Sequence, residues 1–270
     1  MKKILSLLLT LVLILSFGSA LADKIVIGAT PLPHALILEF IKPDFEALGH
    51  ELEIKEGSDY YIFNPALAEG DTDANFFQHV PFLEKTYNNE APEGKKLYAA
   101  FGVHYEPLGL FPGKLKTLDE VKDGAEIAVP NDPSNQTRAL LLLKQIGWIT
   151  LPEDAFENGA TADSIIENKH NLKITDMNAE LIPNSLLDFD YAVINGNYAI
   201  AAGFTSAAEA LAAESSDSEA SKLYTNIIAV REEDKDKQWV KDLKAVIQSD
   251  KVREYIENEP QFAGAVKPSF

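Results

Sequence analysis

Short β-rich runs alternate with stretches of helical period along most of the chain, and this alternation restricts the fold more than any other feature. "KIVIGAT" (24–30) precedes "PHALILEFIKPDFEALG", whose Leu36, Ile37, Phe40 and Ile41 recur at helical spacing until Gly49, and the alternating strand "ELEIKEG" follows. A short helix "NPALAEG", a strand "DANFF" (73–77) and an amphipathic helix from Val80 continue the pattern. After Leu118 it restarts with helix "LDEVKDG", strand "EIAVP", a helix opening at "NDPSNQTRALLLL", strand "NLKITDM", helix "AELIPNSLLD", strand "DYAVIN" (190–195) and a helix from Tyr198. Elements in this order predict an α/β fold with largely parallel sheets.

Between the two series lies "KLYAAFGVHYEPLGLF" (96–111), an apolar run interrupted by Gly102 and Pro107. It reads as a strand that bends and changes surroundings, and so as a crossing between lobes. "YTNIIAV" (224–230) is the expected crossing back, and the Ala-, Ser- and Glu-rich segment 205–222 before it is expected to be a solvent-facing connection. The closing helices "DKQWVKDLKAVIQSD" and "KVREYIEN" are expected to pack on the first lobe. The resulting division is 23–104 with 231–270 as lobe I, and 105–230 as lobe II.

Residues 1–22 read as a signal peptide: Lys2 and Lys3, an apolar run from Ile4 to Phe17 and the ending Ala20-Leu21-Ala22. The run is shorter than the roughly 18 residues of a membrane span, so cleavage near Ala22 and a periplasmic or secreted product are expected. The formal net charge of −18 includes those two lysines, which makes the remaining chain more acidic still. Binding to nucleic acid needs Lys and Arg to displace phosphate counterions, and that class is excluded. Cysteine is absent, which removes disulfides, thiolate ligands and thiol nucleophiles.

In open α/β sheets ligands settle beyond the carboxyl ends of strands. "GATPLPH", "FFQH", "PNDPSNQTR" and "NGN" all fall at such ends, two in each lobe, so a cleft between lobes would be lined by all four. Asp132 or Ser134 can cap the helix that carries Arg138 within its first turns, with Pro133 behind the cap. A bound carboxylate gains from both the cation and the helix N-terminus, with Asn135 adding an amide. The alternative is an Arg138 paired to one of the many surface acids. Strand alternation sends Phe76 and Phe77 to opposite faces, and Phe77 is expected nearer the cleft. His79 and His104 are open to three readings: metal ligand, general base or hydrogen-bonding wall. Without Cys or an H-E-x-x-H pair, no metal site is expected, and no cofactor. No G-x-S-x-G elbow, P-loop or G-x-G-x-x-G fingerprint supports an enzyme.

The segments "GATPLPHALILEFIKP", "SDY", "GDTDANFFQHVPFLE", "VHYEPLGLF", "VPNDPSNQTRALLLL", "AVINGNYAIAAG", "NIIAVRE" and "GAVKPSF" resemble, in order, the NlpA/MetQ family of substrate-binding proteins. The resemblance implies a two-lobed periplasmic-binding-protein fold of type II, with the ligand cleft between lobes. It also implies a non-enzymatic role: binding methionine or a closely related amino acid and delivering it to the permease subunits of an ABC importer. It places Arg138 at the ligand carboxylate and Asn195 and Asn226 at the polar end. Tyr60, Phe77, His79 and His104 would surround the thioether. One departure stands out. Many members carry lipid on a cysteine, and this chain has none, so no lipid anchor is expected. A receptor for a methionine-containing peptide is the competing reading, followed by an exported hydrolase using His79 or His104.

Overall fold

The structure, a computed structural model, describes residues 23–204, 209–215, 219–262 and 264–270. The expected signal peptide, 1–22, lies outside them, as does part of the 205–222 connection. The first strand, β1 (Asp23–Ala29), leads through an irregular turn into α1 (Leu36–Glu46), and β2 (His50–Glu56) returns parallel to β1. The helical spacing seen in the sequence has its physical cause here: Ile37, Leu38, Ile41 and Phe45 form the face of α1 that is withdrawn from solvent. A short α2 (Phe63–Glu69) ends at Gly70, whose φ of 88° is left-handed, and β3 (Ala74–His79) then pairs with β1 on its other edge. The amphipathic helix expected from Val80 is one turn, α3 (Val80–Leu83), continued by a wider turn to Asn88.

The apolar run 96–111 bends as expected. β4 (Leu97–Tyr105) stays with the first sheet, whereas β5 (Gly109–Pro112) enters a second. There it joins β6 (Glu126–Pro130), which leads into α4 (Pro133–Gln145). A small hairpin of β7 (Ile149–Thr150) and β8 (Glu167–Asn168) encloses α5 (Ala155–Asn158). β9 (Lys173–Met177) runs parallel to β6, and α6 (Ile182–Ser185) leads towards β10 (Tyr191–Ile194), α7 (Gly196–Ala201) and the two-residue β11 (Ala212–Ala213). α8 (Glu219–Leu223) then returns the chain to β12 (Asn226–Arg231). α9 (Gln238–Ile247), α10 (Asp250–Asn258) and β13 (Lys267–Pro268) complete the fold.

The two main sheets have the orders β13-β4-β12-β3-β1-β2 and β11-β5-β10-β6-β9. Each has its own apolar core. The first packs Trp239, Leu243 and Ile256 of the closing helices against α1, as expected, and the second centres on Leu140, Leu143 and Tyr191. A third cluster spans the space between them, bringing Tyr60, Phe77 and Phe82 against Ile182, Ile194 and Tyr198.

Three expectations shift. "LDEVKDG" forms a single turn, Leu118–Glu120, because Val121 is already non-helical at ψ 127°. "AELIPNSLLD" breaks into three short turns, with Pro183 starting the middle one by withholding an amide donor. Residues 226–230, read as part of lobe II, pair antiparallel with β3 and β4 in the first sheet, so the chain has crossed back before Asn226.

Candidate functional site

Both sheets present strand ends to the gap that the third cluster partly fills. All six residues of β3 are buried; Phe76 joins the core beneath α1, while Phe77 turns towards the gap, following the pleat. At its end His79 caps α3, its Nδ1 accepting from the Phe82 amide at 3.2 Å. Its Nε2 therefore carries the proton and donates to Asn135 Oδ1 at 3.1 Å across the gap.

Asp132 caps α4 as expected. Its Oδ1 accepts from the Asn135 amide (2.8 Å) and the Ser134 hydroxyl (2.7 Å), and its Oδ2 from Asn135 Nδ2 (2.8 Å). Held this way, Asn135 turns its carbonyl oxygen to His79 and Arg138. Arg138 is 3 % exposed; it faces the gap and is paired with an acid, though a largely buried one and not a surface acid. Nε and Nη2 donate to Glu214 Oε1 (3.0 Å) and Oε2 (2.5 Å), Nη2 also to the Glu106 carbonyl (3.1 Å), and Nη1 to Asn135 Oδ1 (3.1 Å). Tyr224 stacks beneath the guanidinium, 4.4 Å from its carbon. Arginine has five N–H donors, so a single one, on Nη1, is left for a ligand. Glu214 belongs to the segment expected to face solvent; instead it also accepts from the Tyr105 hydroxyl and the Leu108 amide.

The polar end is completed by asparagines. Asn195 precedes α7 without capping it, and its Oδ1 is buried with no partner among the described residues. Asn226 opens β12; its Oδ1 lies 3.0 Å from His34 Nε2, whose Nδ1 is 2.6 Å from the Thr30 hydroxyl. With that hydroxyl donating, His34 Nε2–H donates to Asn226 and leaves the Asn226 amide nitrogen for the gap. Tyr60 donates to Asn197 Oδ1 and stacks on Tyr198, with ring centroids 4.8 Å apart.

A narrow gap remains between these groups. Tyr60, Phe77, His79, Asn135, Arg138, Asn195 and Asn226 line it. His104 does not. It is fully buried and reaches the cleft only through Glu106, whose Oε1 is 2.6 Å from its Nε2.

Glu106 itself escaped the sequence reading, as did Asn197, Phe82 and Glu214. A carboxylate inside the apolar run "VHYEPLGLF" is the signal that could have found Glu106, because such a group is rarely buried without partners. It passes close to α7: a Cβ on Gly196 would stand 2.7 Å from Glu106 Cβ and 2.9 Å from Oε2, so only glycine admits it. Burial raises the Glu106 carboxyl above its usual range, against the opposing pull of His34 and Arg138. Burial also pushes His34 down to about 4, His104 to about 3, and His79, further opposed by Arg138, to about 3. All three imidazoles are neutral near pH 7. Burial works against the charge of Arg138, but Glu214 more than offsets it and raises the guanidinium further. His34, His104 and Glu106 are the one group of three ligating side chains among the described residues, their ligating atoms within 4.8 Å of one another. Both Nε2 atoms point at protein acceptors, Asn226 and Glu106.

A family model described as NlpA lipoprotein matches residues 25–270. The chain belongs to the NlpA lipoprotein family. Among its relatives, a D-methionine-binding lipoprotein of Salmonella typhi is 40% identical over 224 residues, covering 82% of this chain and 79% of that one. A methionine-binding lipoprotein of Bacillus subtilis is 36% identical over 247 residues, covering 91% and 88%. A nutrient-binding protein from Burkholderia cenocepacia, solved bound to methionine, is 40% identical with a TM-score of 0.84, covering 91% of this chain and all of the other. The two sheets with a cleft between them are thus the two-lobed substrate-binding fold of the NlpA family. The names of these relatives run against the expectation of no lipid anchor, although the sequence has no cysteine to carry one.

Proposed function

We propose that the protein is an extracytoplasmic substrate-binding protein that takes methionine from outside the cytoplasmic membrane and delivers it to an ABC importer. The observation that carries this reading is the polarity of the cleft. At one end stand an unpartnered carbonyl on Asn195, the Glu106 carboxyl, one Arg138 N–H and the Asn226 amide; at the other, the rings of Tyr60, Phe77 and Phe82. An α-amino acid with an unbranched apolar side chain presents the complementary groups. The kinship with methionine-binding lipoproteins and with a structure bound to methionine supports methionine as that amino acid.

The magnitudes suffice. Hydrogen bonds to charged groups contribute about 1.5 to 3 kcal/mol each, and burying a methionine side chain about 1.5 to 3 kcal/mol. Two of the former and one of the latter approach the roughly 8 kcal/mol of micromolar binding. Mass spectrometry of what leaves the purified protein on denaturation should find methionine, and calorimetry should show methionine binding with aspartate silent. Aspartate binding as well as methionine would sink the reading.

A further inference from the structure

We propose that the cleft selects its ligand by the free α-amine before the carboxylate: it accepts α-amino compounds whose carboxyl group is modified and rejects N-acylated ones, including peptides that end in the recognised residue. The inference rests on reading the cleft as an amino-acid site and names which of the two charges governs it.

The charges in and around the gap carry the argument. Arg138 is the cation facing it among the described residues, and Glu214 holds two of its nitrogens as a ligand carboxylate would. The Glu106 carbonyl and Asn135 take two more N–H groups, so the carboxylate end of a ligand meets one N–H of a guanidinium already neutralised by its partner. Asp132 has its oxygens occupied by Ser134 and Asn135 at the start of α4. The three neighbouring imidazoles add no charge.

Glu106 is left. Arg138 touches its backbone carbonyl and not its carboxylate, and the groups around that carboxylate are His104, His34 and the Asn197 amide. Lining the same gap, Asn195 Oδ1 is a buried acceptor without a donor among the described residues. An ammonium satisfies both. An N-acyl ligand replaces the ammonium with a neutral amide carrying one N–H, so the Glu106 carboxylate loses its counter-charge and one donor is left for two acceptors, and sites built to pair a polar group discriminate strongly when it is missing. A carboxamide keeps a carbonyl oxygen for Arg138 Nη1 and the Asn226 amide, and loses only the charge on it.

Calorimetry on the full-length protein with methionine, methioninamide, N-acetylmethionine and glycylmethionine tests the ranking, with the corresponding leucine and norleucine compounds run in parallel. The amide should bind within about tenfold of the free amino acid, and the N-acyl compounds at least about a hundredfold more weakly. N-acetylmethionine within tenfold of methionine, or the amide weaker than the N-acetyl form, would overturn the proposal. Glu106→Gln should collapse the gap between the two derivatives, and an unchanged gap would equally overturn it. Should methionine fail while another side chain binds, the methionine reading falls, and the ranking is read on that side chain. Should no compound bind, both fall.

Discussion

Both ring nitrogens of His79 are committed, Nδ1 to the Phe82 amide and Nε2 to Asn135, inside a cleft where burial holds its pKa near 3. In the unfolded chain the same group titrates near 6.5. Between those values the unfolded state binds the extra proton, so the contribution of His79 to stability is complete above about pH 6.5 and is lost as pH falls towards about 3. His34 and His104 act in the same direction, while Glu106 and Asp132, raised by burial, take up protons in the folded state and oppose them. A comparison of wild type with His79→Gln isolates the single residue. Their stability difference, from denaturant unfolding at a series of pH values, should shift in favour of the variant by about 1.4 kcal/mol per pH unit well below 6.5. A difference that stays constant from pH 7 to 4 would mean that the imidazole is not held neutral.

At the scale of elements, the two-residue strand β11 sets the position of Arg138. It pairs antiparallel with β5, and the following residue, Glu214, thereby reaches Arg138 on α4. Removing one member of a buried ion pair strands the other, so Glu214→Ala is expected to cost roughly 3 kcal/mol in thermal or denaturant unfolding. A loss below about 0.5 kcal/mol would place the pair among the weak surface bridges.

Nothing local in the sequence announces that contact. Glu214 sits among alanines and serines, 76 positions from its partner, and acidic residues in such company are usually solvated. The elements that were legible owe their form to local chemistry: β1 and β6 to β-rich apolar runs, α4 to its Asp-Pro-Ser start. Phe77 and Asn135 could be placed because pleat and cap geometry fix where their side chains go. His104, put beside the thioether by the resemblance, lies one layer deeper, behind Glu106. The helix expected at 179–188 failed where Pro183 outweighed an otherwise helical pattern.

For the molecule as a whole, the two sheets are joined by chain only between β4 and β5 and between β11 and β12, while side chains close the gap elsewhere. Tyr60 donates to Asn197, Tyr198 to the Ser58 carbonyl, and His79 to Asn135, each bond linking elements of different sheets. If the ligand sits behind those bonds it leaves only when they break, so opening is expected to precede release and the bonds to act as a latch on the closed form. Tyr60→Phe combined with Tyr198→Phe keeps both rings as walls and deletes two of the bonds. At about 0.5 to 1.5 kcal/mol each, the pair should speed methionine release by roughly fivefold to a hundredfold. The association rate should change by less than about threefold, because encounter occurs with the open form. Stopped-flow mixing, followed through Trp148 and Trp239 fluorescence, separates the two rates. Unchanged release with slowed association would mean that the tyrosines guide entry and do not latch the lobes. Scattering supplies the independent check: the radius of gyration should fall when methionine is added to stripped wild-type protein, and by less in the double variant.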